Sequence, residues 1–448
     1  MIFDRIADCA ESEMGLNLSR RQFLSAGAAV GGGLLIGFTT GHSIQAADAA
    51  ESAAGRAFTP NAFIRIDPSG QITLTMNYVE MGQGTYTSIP MLIAEELEVE
   101  LKSVRLEHAP PNDKLYMNTI FGFQATGGST AIRASWESMR RAGATARTML
   151  VNAAAQGWSV DPASCRAENG EVIHPATGRR IKYGALAAYA ATLPLPAPES
   201  VTLKRPETFK LIGTPAKRLD TPDKVNGSAV FGIDAKVPGM KIATLAISPA
   251  FGGKLRSVDA RKALAVRGVR QVVELNDAVA VVADHMGAAK KGLAALDIQW
   301  DDGPNGKLST GDIVRNMDAA SKKQAAVARK DGDFAQAFAN ATTKVEATYE
   351  VPFLAHAAME PMNCTVDLRR DSCEVWTGTQ VLSRAQEAAA KTAGLPLDKV
   401  TVHNHLLGGG FGRRLEIDGV IRAVQIAMKV DGPVKVIWTR EEDIQHGM

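Results

Sequence analysis

The chain has 448 residues, of which 45% are hydrophobic and 22% are charged, a composition typical of globular proteins with large cores. Its 50 basic and 48 acidic residues leave a net charge of only +2. A chain without cationic excess is a poor candidate for binding nucleic acid or an anionic membrane, so the composition favours a small-molecule substrate. The length predicts about two to four domains.

The four cysteines are Cys9, Cys165, Cys364 and Cys373, and no Cys-x-x-Cys spacing occurs. Iron–sulfur clusters and structural zinc sites within this chain are therefore disfavoured. Cys364 and Cys373 lie on two predicted strands and could meet across a hairpin. Because buried free cysteine is the commoner state, we expect free thiols rather than a disulfide.

The N-terminal region resembles an export signal. Arg20 and Arg21 precede a glycine-rich apolar run, and "SIQAADAA" then supplies small residues suited to cleavage. This pattern predicts a twin-arginine signal and linker over residues 1–50, and hence a periplasmic protein that is exported folded. An amphipathic helix or a membrane anchor is the alternative, but the run is shorter than the roughly 18 apolar residues of a span.

The first elements after the signal are predicted from alternation and helical spacing. "FIRIDPSGQITLTM" reads as a hairpin, and a helix follows from about Ile89 to Leu97. A long helix is expected to begin at the glycine pair Gly127-Gly128 and to continue to about residue 156. The proline-rich stretch "LPLPAPES" is the first predicted domain boundary.

The second half of the chain alternates short strands with helices. "KIATLAI", "VRQVVEL" and "AVAVVA" predict strands and "MGAAKKGLAAL" a helix, which together form a compact α+β module. "KVEATYEV", "CTVDL" and "CEVWTGT" then read as strands, followed by the helix "QVLSRAQEAAAKTAG". "KVTVHNHLL" predicts one more strand, and a helix is expected from Glu416 to Val430.

Between that strand and that helix stands "HLLGGGFGRR". A backbone with so few side chains lets a ligand approach closely, and successive N–H groups can cradle an anion. The run fits neither the Gly-Lys-Ser/Thr ending of the nucleotide loop nor the dinucleotide pattern Gly-x-Gly-x-x-Gly. Taken alone, it is equally compatible with a tight strand-to-helix turn that exposes an arginine pair.

Three further motifs offer hydrogen-bond donors without a titratable nucleophile. They are "EMGQGTYTSIP", "QATGGSTAIR" and "TGTQ", and each alone could be an ordinary turn or helix cap. Together with the glycine run they predict a site for a large, polar, anionic cofactor.

These motifs resemble those of the molybdopterin-binding large subunits of the xanthine oxidase family. The likeness is greatest to the twin-arginine branch typified by the beta subunit of isoquinoline 1-oxidoreductase, and it runs from the signal to Met448. The motifs "RLDTPDKVNGSAVFGID" and "AHAAMEPMNCT" also carry it. In this branch the "EMGQG" and "TGGSTAIR" motifs precede a small α/β-hammerhead module, and this chain has that permuted order.

The resemblance implies an α+β, multi-domain large subunit. Its predicted parts are a permuted molybdopterin-binding segment over 60–195, the α/β-hammerhead domain over 210–302 and an incomplete first molybdopterin-binding domain over 303–448. The implied cofactor is molybdenum-molybdopterin cytosine dinucleotide. The pterin dithiolene holds the metal in this family, so no protein metal ligand is expected.

The resemblance also implies roles for individual residues. Gln380 looks like the glutamine whose amide hydrogen-bonds an oxygen ligand of molybdenum, and Phe411 looks like part of the loop over the metal. The other implied cofactor contacts are Gly82, Gln83, Gly84, Gly127, Gly128, Ser129, Thr130, Gly409, Gly410, Gly412 and Arg413.

The implied chemistry is hydroxylation of an aldehyde or an N-heteroaromatic compound with water as the oxygen source. The implied partners are a small iron–sulfur subunit carrying two [2Fe-2S] clusters and, as a further candidate, a cytochrome c subunit. Purines are disfavoured, because purine-oxidising relatives carry a glutamate shortly after the glycine loop, whereas Leu415 follows Arg414 here.

The general-base glutamate of the family lies beyond Met448. Glu360, Glu441 and Glu442 are expected to be structural or solvated carboxylates. The competing hypothesis is therefore a non-catalytic, truncated fragment that binds partner subunits or part of the cofactor. His356, His403 and His405 lack a third ligand at a suitable spacing and are not expected to bind a metal.

Overall fold

The computed structural model describes residues 63–447, together with the backbone of two short strands, β1 (Ser25–Ala28) and β2 (Leu34–Gly37). The predicted arginine pair and cleavage segment lie outside the described residues. No helix in the described part of the chain is long and apolar enough to cross a membrane. The chain groups into two compact units, which are Met1–Pro238 with Ala358–Met428 (the first unit) and Gly239–Ala357 with Lys429–Met448 (the second unit).

The first unit begins with a sheet that contains the predicted hairpin. Strand β3 (Ile64–Ile66) pairs antiparallel with β4 (Ile72–Met76), and β4 pairs parallel with β5 (Val104–His108). The turn forms because Asp67 accepts a hydrogen bond from the N–H of Gln71. The hairpin prediction is therefore confirmed.

Two helices cover this part of the unit. Helix α1 (Thr85–Leu97) starts four residues earlier than the predicted Ile89, and α3 (Ala131–Trp158) is the predicted long helix. They pack so closely that a Cβ on Gly143 would lie 2.5 Å from the carbonyl oxygen of Ile93. The glycine inside α3 is thus a contact residue, because any side chain there would push the helices apart.

The C-terminal part of the first unit carries the other predicted strands. Strand β14 (Asn363–Leu368) pairs antiparallel with β15 (Cys373–Thr377), and β15 pairs parallel with β16 (Val400–Asn404). Helices α10 (Leu382–Ala393) and α11 (Asp418–Ala427) follow β15 and the glycine run. Cys364 and Cys373 are buried free thiols, as expected.

The second unit contains four of the paired strands. Strand β9 (Lys241–Ile247) pairs antiparallel with β12 (Ala278–Ala283) and parallel with β17 (Val434–Ile437), and β11 (Val269–Glu274) pairs with β12. Every residue of β12 is buried, because helix α7 (Met286–Ala294) packs against β12 and β9. The predicted strands and helix of this α+β module are confirmed.

One stretch of the second unit has almost no buried residues. Residues 302–357 contain α8 (Thr310–Ser321) and α9 (Phe334–Asn340), and residues 344–358 form neither helix nor strand. The strand predicted from "KVEATYEV" is therefore wrong, because no neighbouring strand of the described chain satisfies its backbone. Large apolar side chains in this stretch are exposed by 38% to 89%: Leu308, Val314, Met317, Val327, Phe334, Val345, Tyr349, Val351, Phe353 and Leu354.

The remaining short elements complete the two units. They are α2 (Asp113–Tyr116), β6 (Arg166–Glu168), β7 (Glu171–His174), β8 (Arg179–Lys182), α4 (Tyr183–Ala190), α5 (Thr221–Asn226), β10 (Lys254–Asp259), α6 (Arg261–Leu264), β13 (Asp297–Asp301) and α12 (Arg440–Gln445). The proline-rich segment 193–200 lies inside the first unit. The domain boundaries drawn from the sequence stay predictions.

Candidate functional site

The four motifs converge in the first unit. Gln380 and Thr126 are joined twice, since the N–H of Thr126 donates to the carbonyl of Gln380 (2.9 Å) and Nε2 of Gln380 donates to the carbonyl of Thr126 (2.8 Å). The N–H of Val79 donates to Oγ1 of Thr126 (2.9 Å). The N–H of Leu407 donates to the carbonyl of Glu80 (3.1 Å). Loops that are far apart in sequence therefore form one site.

Gln380 lies at the centre of this convergence. Its side chain is 3% exposed, and its Oε1 is a buried oxygen without a hydrogen-bond partner among the described residues. Because Nε2 is fixed by Thr126, the atom left to meet a ligand is an acceptor. A buried acceptor without a partner is unfavourable, so a bound group that donates a hydrogen bond here would be stabilised.

Gly410 covers that oxygen. A Cβ on Gly410 would lie 2.7 Å from Oε1 of Gln380 and 2.8 Å from Sδ of Met81. The glycine is required because the loop backbone passes directly over the amide. Three residues of this loop have positive φ, namely Gly409 (101°), Phe411 (52°) and Gly412 (98°). The ring of Phe411 is 72% exposed, as a residue placed over an open site would be.

The arginine pair stabilises the protein itself. The buried guanidinium of Arg414 donates to the carbonyls of Gly409 (3.0 Å), Gly378 (3.1 Å) and Glu360 (2.9 Å) and to Oε2 of Glu360 (3.0 Å). Arg413 forms a bidentate ion pair with Asp418 at 2.7 and 2.8 Å. The sequence reading of an exposed arginine pair is therefore wrong, and a cofactor contact by Arg413 stays a prediction.

Glu360 is saturated by donors of the protein. Its carboxylate accepts hydrogen bonds from the N–H groups of Ile233 (2.9 Å) and Gly408 (2.8 Å), from Asn363 (2.8 Å) and from Arg414. A carboxylate held by four donors is a structural group, as the sequence predicted.

The "EMGQG" loop also wraps around a carboxylate. Oε1 of Glu80 accepts hydrogen bonds from the N–H groups of Gly82 (2.8 Å) and Gly84 (3.1 Å), and Oε2 accepts from the N–H of Tyr86 (3.0 Å). Glu80 is fully buried, so it neutralises the N-terminus of α1 from within. Gln83 folds back, donating to the carbonyl of Val79. Cofactor contacts by this loop stay predictions.

Cationic side chains of the "RLDTPDK" motif hold this loop in place. Arg218 donates to Oε1 of Glu80 (2.9 Å), to the carbonyl of Gly82 (2.8 Å) and to Asp220. Lys224 pairs with Asp220 at 2.5 Å. Although burial opposes it, hydrogen bonds from Arg218 and Lys224 lower the pKa of Asp220 to about 2, so this carboxylate is ionised at neutral pH.

The segment Gly127–Ser129 ahead of α3 differs from the "EMGQG" loop in its hydrogen bonding. Ser129 is exposed with φ 53°, and its hydroxyl has no hydrogen-bond partner in residues 63–447. The N–H groups of Gly127, Gly128 and Ser129 likewise have no acceptor there. Thr130 is fixed by Asn118, which donates to its Oγ1 (2.7 Å). Since α3 is 28 residues long, its open N-terminus is well suited to a phosphate.

A short hydrogen bond lies beside the "EMGQG" loop. The hydroxyl of Tyr86 contacts Nδ1 of His108 at 2.5 Å. Burial, together with the nearby His405, lowers the pKa of His108 to about 4. Burial also raises the pKa of Tyr86, so at neutral pH the phenol donates to a neutral imidazole.

The site fits the implied molybdopterin cofactor. The open N–H groups at Gly127–Ser129 suit a phosphate, and the buried oxygen of Gln380 suits a donor on the metal–pterin part. Apart from their chain neighbours, no described atom lies within 4 Å of a Cβ built on Gly82 or Gly84, so the "EMGQG" loop leaves room for a ligand. In the described residues, no group of three or more His, Cys, Asp or Glu side chains could hold a metal ion.

Sequence reasoning missed the groups that shape the site. Glu80, Arg218 and Asp418 were not singled out, although each holds one of the predicted loops. For Glu80 a signal existed, because an acidic residue directly before a glycine-rich helix start can cap that helix from within. The partners of Arg218 and Asp418 are fixed by the fold and carry no local signal.

Comparisons with known proteins agree with this geometry. Two family models, both described as a molybdopterin cofactor-binding domain, match residues 318–447 and 19–237. The model of the second molybdopterin cofactor-binding domain matches residues 19–237, ahead of the model of the first domain at 318–447. This is the permuted order that the motifs predicted. The fold and site define a molybdopterin-binding polypeptide. The chain belongs to the molybdopterin-binding proteins of the xanthine oxidase family.

Isoquinoline 1-oxidoreductase subunit beta of Brevundimonas diminuta is 32% identical to the chain over 475 residues, covering 96% of this chain and 60% of that protein. A membrane-bound aldehyde dehydrogenase (pyrroloquinoline-quinone) of Gluconacetobacter polyoxogenes is 32% identical over 447 residues, covering 96% and 56%. The chain thus spans 56% to 60% of the length of these relatives. Among solved structures, quinoline 2-oxidoreductase from Pseudomonas putida 86 is similar with a TM-score of 0.42 and 19% identity, covering 52% of this chain and 35% of that one.

Proposed function

We propose that the chain is the cofactor-binding part of a molybdenum hydroxylase that oxidises an aldehyde or an N-heteroaromatic compound, with water as the oxygen source. The observation that supports this most is the convergence of four separate loops around the unpartnered, buried oxygen of Gln380. When bound, the cofactor would supply the two-electron oxidation of the substrate carbon.

The residues of the chain would bind and orient that cofactor. The open N-terminus of α3 at Gly127–Ser129 would hold a phosphate, and a nucleotide form such as the cytosine dinucleotide would place its phosphates there. Gln380 would accept a hydrogen bond from a donor close to the metal, and Phe411 would keep water from the substrate side. The two relatives named for isoquinoline and for an aldehyde motivate the substrate classes.

A second candidate is a non-catalytic polypeptide that binds the cofactor or a partner subunit without turnover. One observation favours it. Glu80 and Glu360, the carboxylates at the convergence, are both saturated by donors of the protein, so neither can act as a general base.

We further propose export by the twin-arginine route and assembly with a small iron–sulfur subunit carrying two [2Fe-2S] clusters, with a cytochrome c subunit as a further partner. The arginine pair at Arg20-Arg21 and the lack of Cys-x-x-Cys spacing motivate both. Electrons from a two-electron oxidation must leave by one-electron carriers, which the partner subunits would provide.

The test is made on the protein purified from the periplasm of its host with its associated subunits. Molybdenum and iron are measured per polypeptide, the nucleotide is released by acid and identified, and isoquinoline and benzaldehyde are offered in ¹⁸O-labelled water. About one molybdenum per chain, a cytidine nucleotide and ¹⁸O in the product support the proposal. Bound quinone without molybdenum would refute it, and molybdenum without turnover would favour the second candidate.

A further inference from the structure

Arg384 has an unusual position at the edge of the candidate site. It lies in the first turn of α10, four residues after Gln380, and its guanidinium carbon lies 3.6 Å from the centre of the Phe123 ring. No residue in the described part of the chain accepts a hydrogen bond from it, and no described carboxylate forms an ion pair with it. By contrast, Arg413 and Arg414 are both paired with carboxylates.

The aromatic residues beside Arg384 connect it to the site. The rings of Phe123 and Phe121 are 6.0 Å apart, and Phe121 is 38% exposed. A Cβ on Gly128 would lie 3.2 Å from Cζ of Phe121. Gly127, the neighbour of Gly128, packs within 4.0 Å of Nε2 of Gln380 by the same measure. Arg384 and the two rings therefore lie beside the glycine pair, which itself lies next to Gln380 in the first unit.

The stacking of Arg384 on Phe123 limits which chemical groups the guanidinium can bind. A guanidinium that lies flat on a ring keeps its N–H groups in its own plane, where they form a fork that matches the two oxygens of a carboxylate. Phe121, which is partly exposed, can contact a planar aromatic molecule beside the guanidinium. A phosphate of the cofactor has a separate cradle at Gly127–Ser129, where main-chain N–H groups are open. This arrangement favours a carboxylate on the substrate over a phosphate on the cofactor.

We propose that Arg384, stacked on Phe123, is a specificity-determining residue that binds the carboxylate of an aromatic acid substrate. This rests on the proposed function and narrows its substrate class to anionic aromatic compounds. Phe123 acts as a positioning residue, because it holds the guanidinium without touching the substrate carboxylate.

Nicotinate and nicotinamide serve as probes, because they have nearly the same shape and differ in charge. Dissociation constants for both are measured by titration calorimetry on the molybdenum-loaded complex, without turnover. The unmodified protein should bind nicotinate at least about tenfold more tightly than nicotinamide, as expected for a bidentate charged pair. Arg384→Gln should bring this ratio close to one while leaving nicotinamide binding unchanged, and Arg384→Lys should restore part of it.

Arg370→Gln is the matched control, because Arg370 is exposed in the turn at the opposite end of β15 from Gln380. It should leave the ratio unchanged, whereas Phe123→Leu should lower it. A ratio near one in the unmodified protein, or one that Arg384→Gln does not change, overturns the inference. Loss of molybdenum and nucleotide from Arg384→Gln also overturns it, since Arg384 would then bind the cofactor. Absence of molybdenum from the unmodified complex is a failure of the proposed function instead.

Discussion

Gly410 lies so close to Gln380 that a single methyl group cannot be inserted between them, because a Cβ on Gly410 would lie 2.7 Å from Oε1 of Gln380. The glycine loop and the amide therefore have to be considered together. Whatever the amide binds, the loop backbone sets its orientation.

The first prediction concerns Gly410→Ala. The added methyl group should displace the amide of Gln380 and the loop above it, and molybdenum per polypeptide should fall severalfold while the protein stays folded. Gly157→Ala is the control, because Gly157 lies in α3 with no described atom within 4 Å of its Cβ position. That control should keep its metal and gain up to about 1 kcal/mol in stability. Equal metal content in both variants would contradict the role given to the loop.

Gln380→Ala should behave differently from Gly410→Ala. It removes one buried hydrogen bond to Thr126, worth about 1 kcal/mol, so the fold and much of the cofactor should remain. If the amide orients a group that takes part in the reaction, turnover should fall on the order of a hundredfold. The measurement is kcat beside molybdenum content, and a variant with normal kcat per molybdenum would show that Gln380 is only structural.

Glu80→Gln should destabilise the first unit. The carboxylate accepts hydrogen bonds from Gly82, Gly84, Tyr86 and Arg218, and an amide would turn a nitrogen with no acceptor capacity towards some of these donors. Breaking such a buried pair should lower the free energy of unfolding by about 3 kcal/mol. Glu137→Gln, which breaks the exposed pair with Arg141, should lower it by less than about 1 kcal/mol in the same urea titration. Similar losses in the two variants would argue against an internal cap.

The lowered pKa of His108 should make the folding stability of the protein depend on pH. Burial and His405 lower its pKa from the ordinary 6.5 to about 4, so the unfolded chain binds the proton more tightly than the folded one. Stability from this group is therefore full above pH 6.5 and is lost as the pH falls towards 4. His108→Asn, whose amide oxygen can still accept from Tyr86, should flatten the melting temperature between pH 6.5 and 4.5. An unchanged slope in that variant would assign the loss to other groups.

The sequence predicted best where one local pattern decides the structure. The continuous apolar run "AVAVVA" gave β12, because such a run suits a strand that is buried on both faces, and helical spacing in "QVLSRAQEAAAKTAG" gave α10. "KVEATYEV" alternates between polar and apolar residues but forms no strand, since a strand also needs a neighbour, and the pattern says nothing about one.

The site was predicted as a set of loops but not as a set of contacts. The sequence singled out the glycines at 82, 84 and 410. Close approach requires glycine only at 410, whereas Gly82 and Gly84 have positive φ angles of 107° and 92°. The pairing of Arg413 with Asp418 and of Arg414 with Glu360 was not, because a charged residue in sequence gives its sign and not its partner. Arginines beside a glycine run read as ligands for an anion, whereas here the anions are the protein's own carboxylates.

We expect the exposed stretch from 302 to 357 to govern how chaperones and proteases act on this polypeptide. Chaperones recognise extended backbone that carries apolar side chains, and proteases cleave backbone that no sheet or helix protects. Val345, Tyr349 and Phe353 display both features, being 83%, 89% and 70% exposed in residues without regular structure. We therefore expect the first tryptic cuts in the purified chain to fall between Lys322 and Lys344. Its lifetime after synthesis would depend on how quickly another surface covers that stretch.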